Sequence, residues 1–233
     1  MNIVAIIPAR GSSKRIPYKN IKKLAGKPLI AYTIREALRS KTLDRIIVST
    51  ENDKIAKISK KYGAEVPFKR PAYLARDTTH SPPIIKHAIE YLEKKEKYNV
   101  DIVVILQPTS PFRKAEHIDL AVKKMIETNA DSVASICEAS YPPYWMKKLK
   151  KDKISPFVKS KIDYHLLEGQ QLPKVYQLNG AIYVVKRDFL MKKNKIIDGD
   201  ARAIIMDSIH SLDVDTLLDF LLAEVVIKNG LFK

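Results

Sequence analysis

Apolar residues in this chain come in short β-branched runs separated by amphipathic stretches. Residues 3–7 form an unbroken run of Ile, Val and Ala that ends at a proline. A run that short and continuous predicts a strand covered on both faces of a sheet. Similar runs at 45–49, 65–68, 101–106, 132–136 and 180–185 predict further strands. Between them the period lengthens. Residues 28–39 set Leu29, Tyr32, Thr33 and Glu36 at helical spacing, with Pro28 suited to a first-turn position. Residues 53–62 predict a short basic helix that Gly63 ends. Helices are also predicted over 84–97, 115–128 and 216–228. Alternating strands and helices predict an α/β fold, a mostly parallel central sheet flanked by helices and joined by right-handed crossovers. One domain is expected over 1–233. Residues 138–178 break the rhythm with Tyr141, Pro142, Pro143, Tyr144 and Trp145, then a lysine run. They predict an excursion from the core, partly β, and a candidate dimer arm.

Composition narrows the classes. An apolar content of 45% supports a real core. No apolar run approaches the ~20 residues that span a bilayer. The N-terminus enters a strand without the charged, apolar and small-residue regions of a secretory leader. A cytoplasmic protein with no membrane partner is expected. Cys137 is the single cysteine, so no internal disulfide forms, and its apolar surroundings predict a buried small hydrophobe. The five histidines match no zinc spacing. The net charge of +16 fits nucleic acid, anionic small molecules or a lysine-rich surface. Mixed runs such as 93–97 suggest ion-paired helix faces. Arginines and aromatics share no stripe, so anionic small-molecule substrates are expected and nucleic acid is not.

The residues that follow the strands carry the candidate chemistry. Ligands in open α/β sheets sit at the carboxyl ends of strands. After the first strand come Arg10, Gly11, Ser12, Ser13, Lys14, Lys19 and Asn20. Small residues among fixed cations let backbone N–H groups approach a polyanion, so this loop predicts a nucleoside triphosphate site. Neither a P-loop nor a G-x-G-x-x-G is present. Thr50 and Glu51 follow the second strand, and Gln107, Thr109 and Ser110 follow the strand at 101–106. Asp213 and Asp215 flank one residue, so an extended backbone points both carboxylates one way, at a Mg²⁺. The competing reading makes Asp215 the N-cap of the last helix. Arg70, Asp77 and Ser81 lie where they could reach a base or ribose. Asn179 precedes the strand at 180–185 and Tyr183 lies within it.

These segments together resemble the acylneuraminate cytidylyltransferases. The matching pieces are 7–14 with 19–21, 44–50, Arg70 with Asp77, 106–113, 171–173 with 179–183, and 213–216 with Asp219, in the family's order. The resemblance implies a Rossmann-like nucleotide-diphospho-sugar transferase fold with a small dimerisation excursion. It implies that CTP and a 2-keto-3-deoxy sugar acid give CMP-sugar and pyrophosphate, with Mg²⁺ and a homodimer. It assigns Arg10, Ser12, Lys14, Lys19 and Asn20 to CTP, and Arg70, Asp77 and Ser81 to the cytidine pocket. Gln107, Asn179 and Tyr183 would hold the sugar acid, and Asp213 and Asp215 the magnesium. Arg10, Lys14, Gln107 and Asp215 would carry catalysis, Asp215 by taking the proton of the attacking hydroxyl. The chain departs from the family pattern at Arg15, where glycine is usual, and at Gly169 and Gln177, where many members carry arginine. Those arginines would contact the sugar carboxylate or pyrophosphate, so the departures point from N-acetylneuraminate toward another nonulosonic acid or a different 2-keto sugar acid. Two other readings remain: a nucleotidyltransferase for another acidic sugar or sugar phosphate, and a catalytically lapsed nucleotide-binding homologue.

Overall fold

A computed structural model describes residues 1–159 and 171–232. In chain order the elements are β1 (Ile3–Pro8), a hairpin of β2 (Lys23–Leu24) and β3 (Lys27–Pro28), α1 (Leu29–Arg39), β4 (Arg45–Ser49) and α2 (Asp53–Lys61). Then come α3 (Ser81–Lys95), β5 (Ile102–Leu106), α4 (Ala115–Thr128), β6 (Ser132–Glu138), and a second hairpin of β7 (Lys147–Lys150) and β8 (Lys153–Pro156). The chain closes with β9 (Tyr176–Lys186), α5 (Arg187–Lys193), β10 (Ala201–Ile205) and α6 (Leu217–Lys228).

Six strands form the central sheet in the order β10-β6-β9-β5-β1-β4. Alternation along β1 shows how the sequence sets its two faces. Ala5 and Ile7 point to α1 and α4, where Ile30, Ile34, Ile118 and Val122 cover them. Val4 and Ile6 point the other way, to Ile85, Ile89 and Leu92 of α3 and Leu190 of α5. A third cluster joins Ile16, Leu24, Tyr32, Phe112, Val214 and Phe220. It pins α6 and the segment before it against the loop that follows β1.

The sheet is mostly parallel, as expected, with one exception. β9 runs antiparallel to both β5 and β6. The chain leaves β6 and re-enters the sheet beside it from the same end of the strands, and without a crossover a returning strand must run backward. β9 is longer than the predicted 180–185 and takes residues 176–178 from the predicted excursion. A bulge interrupts its pairing: Ala134 faces Tyr183, yet Ile136 faces Leu178.

The predicted strand over 65–68 is not a strand. Glu65 makes one parallel bridge to Ile47, and Pro67, two residues on, has no N–H to extend the ladder. Helix α3 starts at Ser81, earlier than predicted, because Pro82 and Pro83 fit the first turn, whose N–H groups have no helical partner. The β2–β3 hairpin, α5 and β10 carry too few periodic residues to be read from the pattern. Cys137 is buried, as expected.

Candidate active site

The carboxyl ends of β1 and β5 open on a cavity of about 530 Å³. Arg10, Lys14, Lys19, Asn20, Arg70, Asp77, Ser81, Gln107 and Asp215 all line it. Sequence reasoning placed these residues in four separate segments, and the fold brings them together.

The loop after β1 is held in shape from several sides. Ile16 is buried in the third cluster and acts as its anchor. The Asn20 side chain, itself buried, donates to the Arg10 carbonyl at 2.9 Å and so closes the loop on itself. Gly11 N–H donates to Glu51 Oε1 at 2.6 Å. A Cβ on Gly11 would lie 2.5 Å from Asn52 Nδ2, and Asn52 cannot withdraw freely because its Oδ1 caps α2 through the Lys54 and Ile55 N–H groups. Gly11→Ala is therefore expected to displace the loop and weaken CTP binding roughly tenfold, by analogy with small misplacements elsewhere in catalytic sites. Titration calorimetry with CTP checks this, and wild-type affinity would show the loop does not depend on Gly11.

Of the six cations that line the cavity, five have a counter-ion, and among the described residues Arg76 has none. Asp77 takes Arg10 Nη1 at 2.5 Å and Lys14 Nζ at 2.6 Å. Lys14, with Arg10 beside it, holds the Asp77 carboxyl below the ordinary range. Asp215 takes Lys19 Nζ at 2.7 Å and Arg15 Nη1 at 3.5 Å. Arg70, 2% exposed, donates to Glu51 Oε2 at 2.6 Å. Burial pushes the Glu51 carboxyl up, but the Gly11 N–H and Arg70 outweigh it and leave Glu51 low. Glu51 thus joins the β1 loop to Arg70. The sequence signal for it was a lone carboxylate at a strand end, with nothing to name its partners.

The acidic segment lies beside this cavity. Val214 is buried and its N–H donates to the Thr109 carbonyl at 2.8 Å, which leaves Asp213 and Asp215 on either side of an extended residue. Burial pushes the Asp213 carboxyl up, while a hydrogen bond from Thr109 lowers it and the neighbouring Asp215 charge raises it further. Its Oδ1 is buried without a hydrogen-bond partner. Asp215 is not the helix cap: Thr216 and Asp219 form the capping box of α6. Among the described residues, no three His, Cys, Asp or Glu side chains gather as a metal cage. Two carboxylates, one with an orphaned oxygen, suit a hard cation that keeps waters and takes phosphate oxygens.

Four predicted residues stand elsewhere. Ser12 is exposed, and its neighbour Ser13 lines the cavity. Asp213 is not among the residues that line the cavity, though Thr109, which does, hydrogen-bonds to it. Tyr183 is half-buried against the α3 face of the core, where burial, with Asp213 adding to it, raises its phenol. Asn179 is buried at the bulge. Its Oδ1 accepts from Ser135 Oγ at 2.5 Å, and its Nδ2 donates to Ser211 Oγ at 2.9 Å. Its amide thereby ties β6 to the turn that leads into Asp213. Gln177 lies on β9 and donates to Cys137 Sγ at 3.7 Å, whereas Gly169 falls outside the described residues. Arg113, which the reading by residue type left without a role, is fully buried and donates to the carbonyls of Ala181 at 2.8 Å and Gln107 at 3.2 Å.

The likeness to known proteins agrees with this geometry. The sequence profile described as Cytidylyltransferase matches residues 4–198. The chain is 38% identical, over 96% of its length and 95% of the relative's, to a CMP-N,N'-diacetyllegionaminic acid synthase of Legionella pneumophila. It is 30% identical, over 98% of its length and 97% of the relative's, to a pseudaminic acid cytidylyltransferase of Campylobacter jejuni. Its fold superposes, with a TM-score of 0.74 and 16% identity, on a solved CMP:2-keto-3-deoxy-manno-octonic acid synthetase complexed with CTP, covering 99% of this chain and 100% of that one. With a family profile matched over most of its length and a strand-end cavity lined by the residues its motifs predict, the chain belongs to the cytidylyltransferase family.

Proposed function

We propose that the protein activates a nonulosonic acid with CTP, giving the CMP-sugar and pyrophosphate. The observation that carries this reading is the convergence of Arg10, Lys14, Lys19 and Arg70 on one cavity that also takes in Gln107 and Asp215. Relatives named for legionaminic and pseudaminic acids support the acceptor class.

The residues divide the work. Arg10, Lys14 and Lys19 receive the triphosphate in exchange for Asp77 and Asp215. Arg70 and Ser81 border the part of the cavity that would hold the cytidine. Gln107 offers its amide to the sugar acid. The hydroxyl on the anomeric carbon attacks the α-phosphorus; the new O–P bond forms as the bond to the β-phosphate oxygen breaks and pyrophosphate leaves. The hydroxyl proton goes to Asp215. Asp213 and Asp215 would hold Mg²⁺, which when bound offsets triphosphate charge. The orphaned Asp213 oxygen supports that assignment.

Two further parts belong to the proposal. The enzyme works in the cytoplasm on its triphosphate substrate. It forms a homodimer through the excursion, whose β7–β8 hairpin leaves Leu149 and Ile154 exposed.

Pyrophosphate release tests the reaction. The enzyme is incubated with CTP, Mg²⁺ and N-acetylneuraminate, legionaminate, pseudaminate or Kdo, with ATP, GTP and UTP as controls. Release that needs CTP and one nonulosonic acid is expected. Silence with every acid, while CTP still binds, would leave only a nucleotide-binding homologue.

A further inference from the structure

Helix α6 carries a feature that the reaction does not use. Its inner side is Phe220, Ala223 and Val226, all buried in the third cluster. Its outer side is apolar too: Leu217, Leu218, Leu221, Leu222 and Val225 are 48% to 75% exposed. Their spacing of i, i+1, i+4, i+5 and i+8 covers one continuous stripe. Asp219 is turned into the capping box, and Glu224 sits on the flank, partly buried. Single exposed leucines are common on monomers, but this stripe exposes on the order of 500 Å² of contiguous apolar surface, the upper end of what a monomer keeps.

We propose that α6 packs against the α6 of a second copy of this chain, antiparallel, across a two-fold axis near Leu221. Roughly 500 Å² is the larger part of the roughly 800 Å² per partner that a stable dimer buries. Leu231, 54% exposed just beyond the helix, lengthens the patch. Charge favours the antiparallel arrangement. The first turn of the helix carries Asp219, and its last turn carries Lys228. Each lysine end then meets the acidic end of its partner, and the helix dipoles oppose. A parallel pair would set like charges together. Lipid fits poorly, because a membrane-surface helix presents a basic polar face opposite its apolar one, whereas the opposite face of α6 is buried core. The stripe begins two residues after Asp215, so pairing would brace the first turn of α6 beside the acidic segment. This contact is separate from the excursion at 138–178.

Cross-linking tests the arrangement. Leu221→Cys places a thiol at the axis, and the native Cys137 is buried. Mild oxidation is expected to join most L221C chains into disulfide dimers. L120C, on the exposed side of α4, is expected to stay monomeric in the same assay. In sedimentation, L218D/L222D is expected to halve the mass of the wild-type assembly, with an unchanged far-ultraviolet circular dichroism spectrum. An uncross-linked L221C would overturn the proposal, and so would an L218D/L222D mass equal to wild type while I154D in the excursion splits the assembly. Wild-type protein that is monomeric at tens of micromolar, or that binds phosphatidylcholine vesicles through Leu218 and Leu222, would overturn it as well.

Discussion

Asp215→Asn is expected to lower kcat by roughly two to three orders of magnitude, the scale of losing one preorganised charge at a reacting centre. Folding should be spared. Asp215 lends α6 only its backbone N–H, which donates to Asp219 Oδ2 at 3.0 Å, and an asparagine keeps that bond. Its ion pairs with Lys19 and Arg15 are half-exposed at the Asp215 side, so their loss costs at most about 1 kcal/mol. The asparagine loses two things at once: the acceptor for the hydroxyl proton and half of the carboxylate pair with Asp213. Single-turnover pyrophosphate release measures the first. Titration of Mn²⁺ into the enzyme, followed by its relaxation enhancement of water, measures the second without turnover. Near-normal kcat in the variant would remove Asp215 from the chemistry.

Arg113→Met is expected to destabilise the fold by about 2 kcal/mol, the scale of leaving two buried carbonyls without their charged donor. Burial pulls the Arg113 guanidinium down to about 9, against the Glu36 charge that supports it, so it stays protonated near neutral pH. Its removal leaves the carbonyls of Gln107 and Ala181 without their donor, while Glu36 keeps its ion pairs to Arg35 and Arg39. The urea midpoint, at constant slope, reads the loss. Activity should fall further than stability alone dictates, because Arg113 holds the carbonyls of Gln107 and of Ala181 in the bulged stretch of β9. Lysine should not rescue it, since one ammonium cannot reproduce the planar fork. A stability loss under about 1 kcal/mol would show that the two carbonyls find other donors.

Much of this was legible in the chain because it depends on local pattern. The run at 3–7 could only be a buried strand, and the cations after it could only face an anion or solvent. The cavity at the ends of β1 and β5 follows from the fold class. What the pattern could not reach depends on pairing between distant segments. The antiparallel sense of β9 is decided by where the chain re-enters the sheet. The bulge at Asn179 is decided by Ser135 and Ser211, 44 and 32 residues away. For that reason the Asn179 amide, assigned to the sugar acid by motif, is engaged within the protein. The strand predicted at 65–68 failed for a local reason that was visible, Pro67, but the apolar composition around it outweighed that single residue in the reading.

The ion pairs around the cavity bear on how the enzyme meets its nucleotide. Arg10, Lys14, Arg15, Lys19 and Arg70 are shared among Asp77, Asp215 and Glu51 before any substrate arrives. A triphosphate entering such a site takes over cations that three carboxylates already match in part, so fewer ions from the buffer need be shed. Its capture should therefore respond only mildly to ionic strength, unlike a bare lysine patch, and a cell's shifting salt would leave the flow of activated sugar largely undisturbed.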